Sequence, residues 1–164
     1  MSDASLIAVV GDDDFIVRKR AKELFEELSD DYPDDLSREV IDGRADKVET
    51  AEGILQEAKS AGSTLSLFGG GKLVWLNEVN FLNQTKTGSA HGTKDALESI
   101  KPFLENLGST KVILSACPVH RNHSFVKWLQ KNSVYEDVAK NEKEDVAFRR
   151  LVEETADACG VRFG

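Results

Sequence analysis

The chain has 164 residues, enough for one domain with its own hydrophobic core, and its 40% hydrophobic and 30% charged residues are typical of a globular protein. No apolar run is long enough to span a membrane, and two cysteines are too few for a disulfide scaffold, so we expect a reduced, cytoplasmic protein. The net charge of −8, with dispersed basic residues, argues against autonomous binding of duplex DNA but allows membership of a DNA-handling complex.

Strand and helix patterns alternate in the first half of the chain. Leu6 to Val10 form a buried-strand run that ends at Gly11, and Asp12 or Asp13 can cap the helix that follows. A short strand is predicted at Glu39 to Ile41. The predicted helix faces share an apolar spacing of three and four residues. They comprise Val17, Ala21, Leu24, Phe25 and Leu28 in the first helix, and Val48, Ala51, Ile54, Leu55 and Ala58 in the second, which we expect to end at Gly62.

The second half continues the alternation. Strands are predicted at residues 72–76, 112–114 and 134–138. Helices are predicted at 93–107, where Pro102 should kink or restart the helix, at 124–131 with Phe125, Trp128 and Leu129 facing inward, and at 142–159. Residues 77–92 read as a long polar connection anchored by Phe81 and Leu82. Five strands alternating with helices predict an α/β domain with a mostly parallel five-stranded sheet covered on both faces.

Residues 66–73 have the outline of a phosphate-binding loop but depart from its pattern, which is G-x-x-x-x-G-K-[ST] between a strand and a helix. Gly71 and Lys72 supply the glycine–lysine pair, but Ser66 stands at the first glycine and Leu73 replaces the hydroxyl residue. A strand also follows, where the motif requires a helix. The sequence therefore argues against classical nucleotide hydrolysis.

Three consecutive carboxylates, Asp12, Asp13 and Asp14, follow the first predicted strand. Asp12 and Asp14 could bind magnesium and supply a nucleophile to a magnesium-dependent phosphohydrolase. The simpler interpretation, which we favour, is an acidic helix cap that complements the helix dipole.

Cys117, His120 and His123 place one thiol and two imidazoles within seven residues. Tetrahedral zinc needs four ligands, or three and a water, and the remaining sequence offers no second cluster. We therefore favour a polar loop that leads into a helix capped by Asn122 or Ser124, and we expect neither a metal nor a cofactor.

Leu67 and Phe68 stand beside a flexible run of three glycines, Gly69 to Gly71. Either both side chains pack in the core, or at least one protrudes, because consecutive side chains cannot easily share one face of a strand or turn. Burial of an exposed leucine and phenylalanine in a partner's pocket gives roughly 1.5–3 kcal/mol each. The pair would then be a binding hot spot, with possible flanking contacts from Leu65 and Ser66.

An ordered set of blocks resembles the delta subunit of the bacterial DNA polymerase III clamp loader. The blocks are Val9 to Arg18, Leu65 to Phe68 followed by Lys72 to Leu76, Val112 to Ala116, Phe125 to Leu129, and residues 151–163. The resemblance implies a degenerate RecA-like, AAA+-type three-layer domain that binds no ATP. It also implies that residues 1–164 are a single amino-terminal domain of a longer chain, whose lid and collar domains are absent here.

The resemblance further implies a role in DNA replication, in which Leu67 and Phe68 enter a hydrophobic pocket of the sliding clamp (the beta subunit) and the protein opens the ring. Its other partners would be the gamma/tau and delta prime subunits, with DNA reached only through the assembled complex and no membrane involved. No intrinsic catalysis is expected, although the complex serves a DNA-directed DNA polymerase, a nucleotidyltransferase. The chain departs from commoner members in Gly69 to Gly71 and in the connection at 77–92.

Overall fold

The computed structural model describes residues 5–63 and 71–138. The strands are β1 (Leu6–Val10), β2 (Arg38–Asp42), β3 (Leu73–Val79), β4 (Lys111–Ala116) and β5 (Val134–Asp137). The helices are α1 (Asp14–Leu28), α2 (Val48–Ser63), α3 (Lys86–Ser89), α4 (His91–Glu105) and α5 (Ser124–Asn132), with 3₁₀ turns at Ser29–Asp31 and Asp35–Ser37.

The strands form one five-stranded sheet in the order β2-β3-β4-β1-β5, and every adjacent pair is parallel. One face packs against α2, α4 and α5, and the other against α1. The predicted α/β class and the three-layer, RecA-like arrangement are confirmed. The central strands read as continuous apolar runs because helices cover both of their faces.

Strand β3 extends three residues beyond its predicted end, so the predicted connection at 77–92 is wrong in its first part. A bulge follows Leu76, and Val79 then resumes pairing with Ala116 of β4. Phe81 and Leu82 are fully buried, which confirms them as anchors. Helix α3 then occupies part of what the polar composition presented as an irregular loop.

Two predictions about helix ends are also corrected. Gly62 lies inside the last turn of α2, which continues to Ser63. A Cβ on Gly62 would lie 2.3 Å from Cζ of Phe103, so a larger residue there would have to displace that ring. Helix α4 does not restart at Pro102, since the proline lies in its last turn and the helix runs through it to Glu105.

The helix predicted at residues 142–159 lies outside the described residues. The assignment of 1–164 to a single domain of a longer chain stays a prediction. Among the helices that the structure describes, none has the combination of length and apolar character that crossing a bilayer requires.

Candidate functional site

The two candidate sites of the sequence lie at opposite edges of the sheet. The α2–β3 connection, which contains Leu67 and Phe68, enters β3 at the amino edge, whereas the β1–α1 turn leaves β1 at the carboxyl edge. Leu65, Ser66, Leu67 and Phe68 lie outside the described residues. The residues on both sides of this segment, up to Ser63 and from Gly71 onwards, are described.

Thr110 joins the two flanks. Its buried hydroxyl accepts a hydrogen bond from the backbone N–H of Lys72, at 3.1 Å, and donates one to the carbonyl oxygen of Gly62, at 3.4 Å. A threonine hydroxyl has one proton to donate and lone pairs to accept, so the oxygen serves both bonds at once. The last turn of α2 and the chain just before β3 are thus fixed to the same side chain.

The turn that carries Thr110 is itself anchored. Gly71 has φ +76°, and a Cβ there would lie 2.6 Å from the carbonyl carbon and oxygen of Ser109, so both the conformation and the space require glycine. The Tyr32 hydroxyl donates to the same Ser109 oxygen at 2.5 Å. Burial raises the pKa of Tyr32, which keeps this donor protonated.

Lys72 lies directly before β3, which confirms the prediction that a strand follows the glycine–lysine pair. Its Nζ lies 3.3 Å from Oε1 of Glu39, on the neighbouring strand. In open parallel sheets, ligands bind outside the carboxyl ends of the strands. The Lys72 ammonium is engaged in an ion pair, and Lys72 lies at the amino edge of the sheet, opposite the edge at which ligands usually bind.

At the carboxyl edge, Asp13 caps α1 and confirms the acidic-cap interpretation. Its Oδ1 accepts hydrogen bonds from the backbone N–H groups of Phe15, at 2.9 Å, and Ile16, at 3.4 Å. These are helix N-terminal donors of the kind that bind phosphate in nucleotide-binding folds. Here the carboxylate occupies them.

Asp12 and Asp14 are each bound by a different arginine. Arg121 places Nη1 3.2 Å from Oδ1 of Asp12 and makes two bonds to Asp137, at 2.5 and 2.9 Å. These hydrogen bonds raise the pKa of Arg121. Asp14 lies 3.8 Å from Nη1 of Arg18. Both carboxylates are thus paired with guanidinium groups, and the arrangement gives the phosphohydrolase hypothesis no support.

The sequence analysis did not predict a second network of charged residues at this edge. Glu78 has φ 60° and accepts from Arg18 of α1 at 2.8 Å, while its other oxygen lies 3.4 Å from Nε of Arg44. Arg44 in turn makes hydrogen bonds to Asp42 that hold the pKa of that carboxyl below its usual range. The network ties α1 to β3 and to the loop after β2, but no local sequence pattern signals pairs so distant along the chain.

Cys117, His120 and His123 do not form a metal site in the structure. Within residues 5–63 and 71–138, no three His, Cys, Asp or Glu side chains are grouped so as to hold a metal ion.

His123 instead caps helix α5, which corrects the predicted caps Asn122 and Ser124. Its Nδ1 accepts from the backbone N–H of Phe125, and its Nε2 lies 3.2 Å from the carbonyl oxygen of Gly88. These roles place the proton of a neutral ring on Nε2. Burial lowers the pKa of His123, and the buried ring joins α5 to α3.

A family model described as DNA polymerase III, delta subunit, matches residues 8–138. The match begins within β1 and ends just after β5, so it takes in the last three residues of β1 and all of β2 to β5. No curated protein and no solved structure matches the chain.

Proposed function

The chain belongs to the DNA polymerase III delta subunit family, and from that premise we propose that it binds the ring-shaped sliding clamp and opens it during replication. The family match over residues 8–138 carries the proposal. Membership places the chain in the clamp loader. We add two claims to this membership: the clamp is the direct partner of this chain, and the chain opens the ring.

The proposed anchor is the pair Leu67 and Phe68, inserted in an apolar pocket on the clamp. The described flanks of their segment support this role, since Gly62 before it and Lys72 after it both bond to the Thr110 hydroxyl. A short segment held at both ends presents its side chains with less ordering to be done on binding. Two large apolar groups in a desolvated pocket are typical of an interface hot spot.

We further propose that the domain is of the AAA+ type and works without ATP. Three residues, Gly11 to Asp13, connect β1 to α1, and the Asp13 carboxylate occupies amides that a phosphate would need. ATP would then act on the gamma/tau subunits, and delta prime would complete the complex. The net charge of −8 supports DNA contact through the assembly and not through this chain alone. Such a replication factor would act in the cytoplasm.

The decisive test is a titration of a cognate clamp with the full-length protein and with the double variant Leu67→Ala/Phe68→Ala. We expect affinity to fall by about 3–6 kcal/mol, more than roughly a hundredfold. A matched control is Phe15→Ala/Leu36→Ala, which removes one phenylalanine and one leucine that are 60% and 66% exposed elsewhere on the surface. It should leave affinity unchanged.

Two outcomes would overturn the anchor. One is equal clamp affinity for the wild type and the Leu67→Ala/Phe68→Ala variant. The other is a large fall in the urea midpoint of that variant, which would show that both side chains belong to the core. A rise in melting temperature with magnesium and ATP would contradict the nucleotide-free part of the proposal.

A further inference from the structure

We propose that Thr110 is a positioning residue for clamp binding, because its hydroxyl links Gly62 and Lys72, the two described flanks of residues 64–70. This inference rests on the function proposed above. Thr110 lies far from the segment in sequence: its bond partner Lys72 is 38 residues away and Gly62 is 48 residues away.

The Thr110 hydroxyl bridges the end of helix α2 and the residue that precedes β3. Helix α2 ends at Ser63, and β3 begins at Leu73. The hydroxyl is buried, with the residue 5% exposed, so water does not replace either bond at low cost. One oxygen atom and its two hydrogen bonds therefore link the two described flanks of the segment directly.

The turn that holds Thr110 is fixed to the sheet. The Thr110 N–H donates to the carbonyl oxygen of Leu107 at 3.0 Å, and Lys111 N–H donates to that of Lys72 at 2.8 Å. The Tyr32 hydroxyl donates to the carbonyl oxygen of Ser109. Thr110 is therefore held in a fixed position relative to the core of the domain.

This geometry has a consequence for binding. Flanks that are linked to each other should reduce the conformational freedom that is lost when the apolar pair is immobilised on the clamp. Loss of the bridge should weaken clamp binding although no clamp contact has been removed. We expect an increase in Kd of about tenfold, which corresponds to about 1.4 kcal/mol.

The test compares the clamp Kd of full-length Thr110→Val, Thr110→Ser and Ser115→Ala. Valine keeps the shape of threonine and removes both bonds, whereas serine keeps the hydroxyl and should restore wild-type affinity. Ser115 is also a buried residue, and its hydroxyl bridges Trp75 and Leu76 near the other edge of the sheet. Ser115→Ala should lower stability and leave Kd unchanged. Equal Kd values for Thr110→Val and Ser115→Ala would refute the positioning role.

Hydrogen exchange gives a readout that does not involve the clamp. The Lys72 amide should exchange faster in Thr110→Val than in Ser115→Ala, because its hydrogen-bond acceptor is gone. Should Thr110→Val fail to fold, Tyr32→Phe replaces it, since this change loosens the same turn and should raise Kd in the same direction by a smaller factor. An unchanged Kd for Tyr32→Phe would then refute the role.

A double-mutant cycle separates this inference from the proposed function. If Thr110 acts through the segment, Thr110→Val should add nothing to the loss caused by Leu67→Ala/Phe68→Ala. If the Leu67→Ala/Phe68→Ala variant binds as well as the wild type, the proposed function itself fails. If that variant loses binding while Thr110→Val does not, only the positioning role fails.

Discussion

Replacement of Ser115 by alanine should destabilise the domain through one lost oxygen atom. Ser115 is fully buried on β4, and its Oγ accepts a hydrogen bond from the indole Nε1 of Trp75 at 2.9 Å. The same oxygen donates to the carbonyl oxygen of Leu76 at 3.3 Å and lies 3.4 Å from the backbone nitrogen of Glu78. The hydroxyl therefore serves the point at which β3 departs from regular pairing.

The magnitude follows from the groups that lose their partner. The Trp75 indole N–H can only donate, and the residue is 6% exposed, so alanine at 115 leaves a buried donor unsatisfied. An orphaned buried polar group costs about 1–3 kcal/mol, and we take about 2 kcal/mol as the expected loss. For a chain of this length, that change lowers Tm by about 4–8 °C.

The assay is urea unfolding followed by circular dichroism, with an unchanged denaturant slope as the sign that the unfolded state is the same. The matched control is Ser99→Ala. Ser99 is exposed on α4 and its hydroxyl bonds the carbonyl oxygen of Ala96 within the helix. Alanine favours helix, so this control should be neutral or slightly stabilising. A Ser115→Ala protein within about 0.5 kcal/mol of the wild type would refute the reasoning.

Two further changes test the amino edge and the cap of α5. Gly71→Ala should lower the urea midpoint by the equivalent of at least about 1 kcal/mol, because it places a side chain on a left-handed backbone and against Ser109. Gly53→Ala, on the open surface of α2, is the control and should be neutral or stabilising. Equal midpoints for the two variants would contradict this prediction. The pKa of His123 is lowered in the folded state, so the unfolded state binds the proton more readily. The free energy of unfolding should therefore decrease as the pH decreases through the ordinary titration range of histidine. His123→Asn keeps an acceptor for the N–H of Phe125 and should flatten that fall between about pH 7.5 and about pH 5.5 in urea titrations; a slope equal to the wild type's would count against the assignment.

Much of the fold could be predicted because the elements are coded by local periodicity. The predicted limits of β1 agree with the structure, and the predicted face of α1 is the one that packs on the sheet. The end of β3 could not be predicted, because Asn77 and Glu78 break the apolar run there. Only the pairing of Val79 with β4 shows that the strand continues.

The candidate site could be predicted in part. The Asp13 cap is a local feature, since the side chain bonds the backbone two and three residues ahead. Thr110, Glu78 and Arg121 were missed because each acts on residues that are distant in sequence, up to 109 positions for Arg121 and Asp12. Leu67 and Phe68 were found from residue type and glycine context, and their role stays a prediction.

The charges at the carboxyl edge support the proposal that the binding function lies at the other edge. Asp12 is held by Arg121, and Glu78 by Arg18 and Arg44, so these carboxylates are already engaged within the domain. An ion pair between partly exposed groups contributes little to stability, about 0–1 kcal/mol, but several at one edge fix its shape and charge. The amino edge differs: Thr110 and Gly71 anchor the described flanks of a segment whose sequence contains Leu65, Leu67 and Phe68. A domain whose carboxyl-edge arginines are engaged in internal ion pairs, and whose proposed binding segment has both flanks anchored at the amino edge, supports the proposal that the amino edge binds another protein.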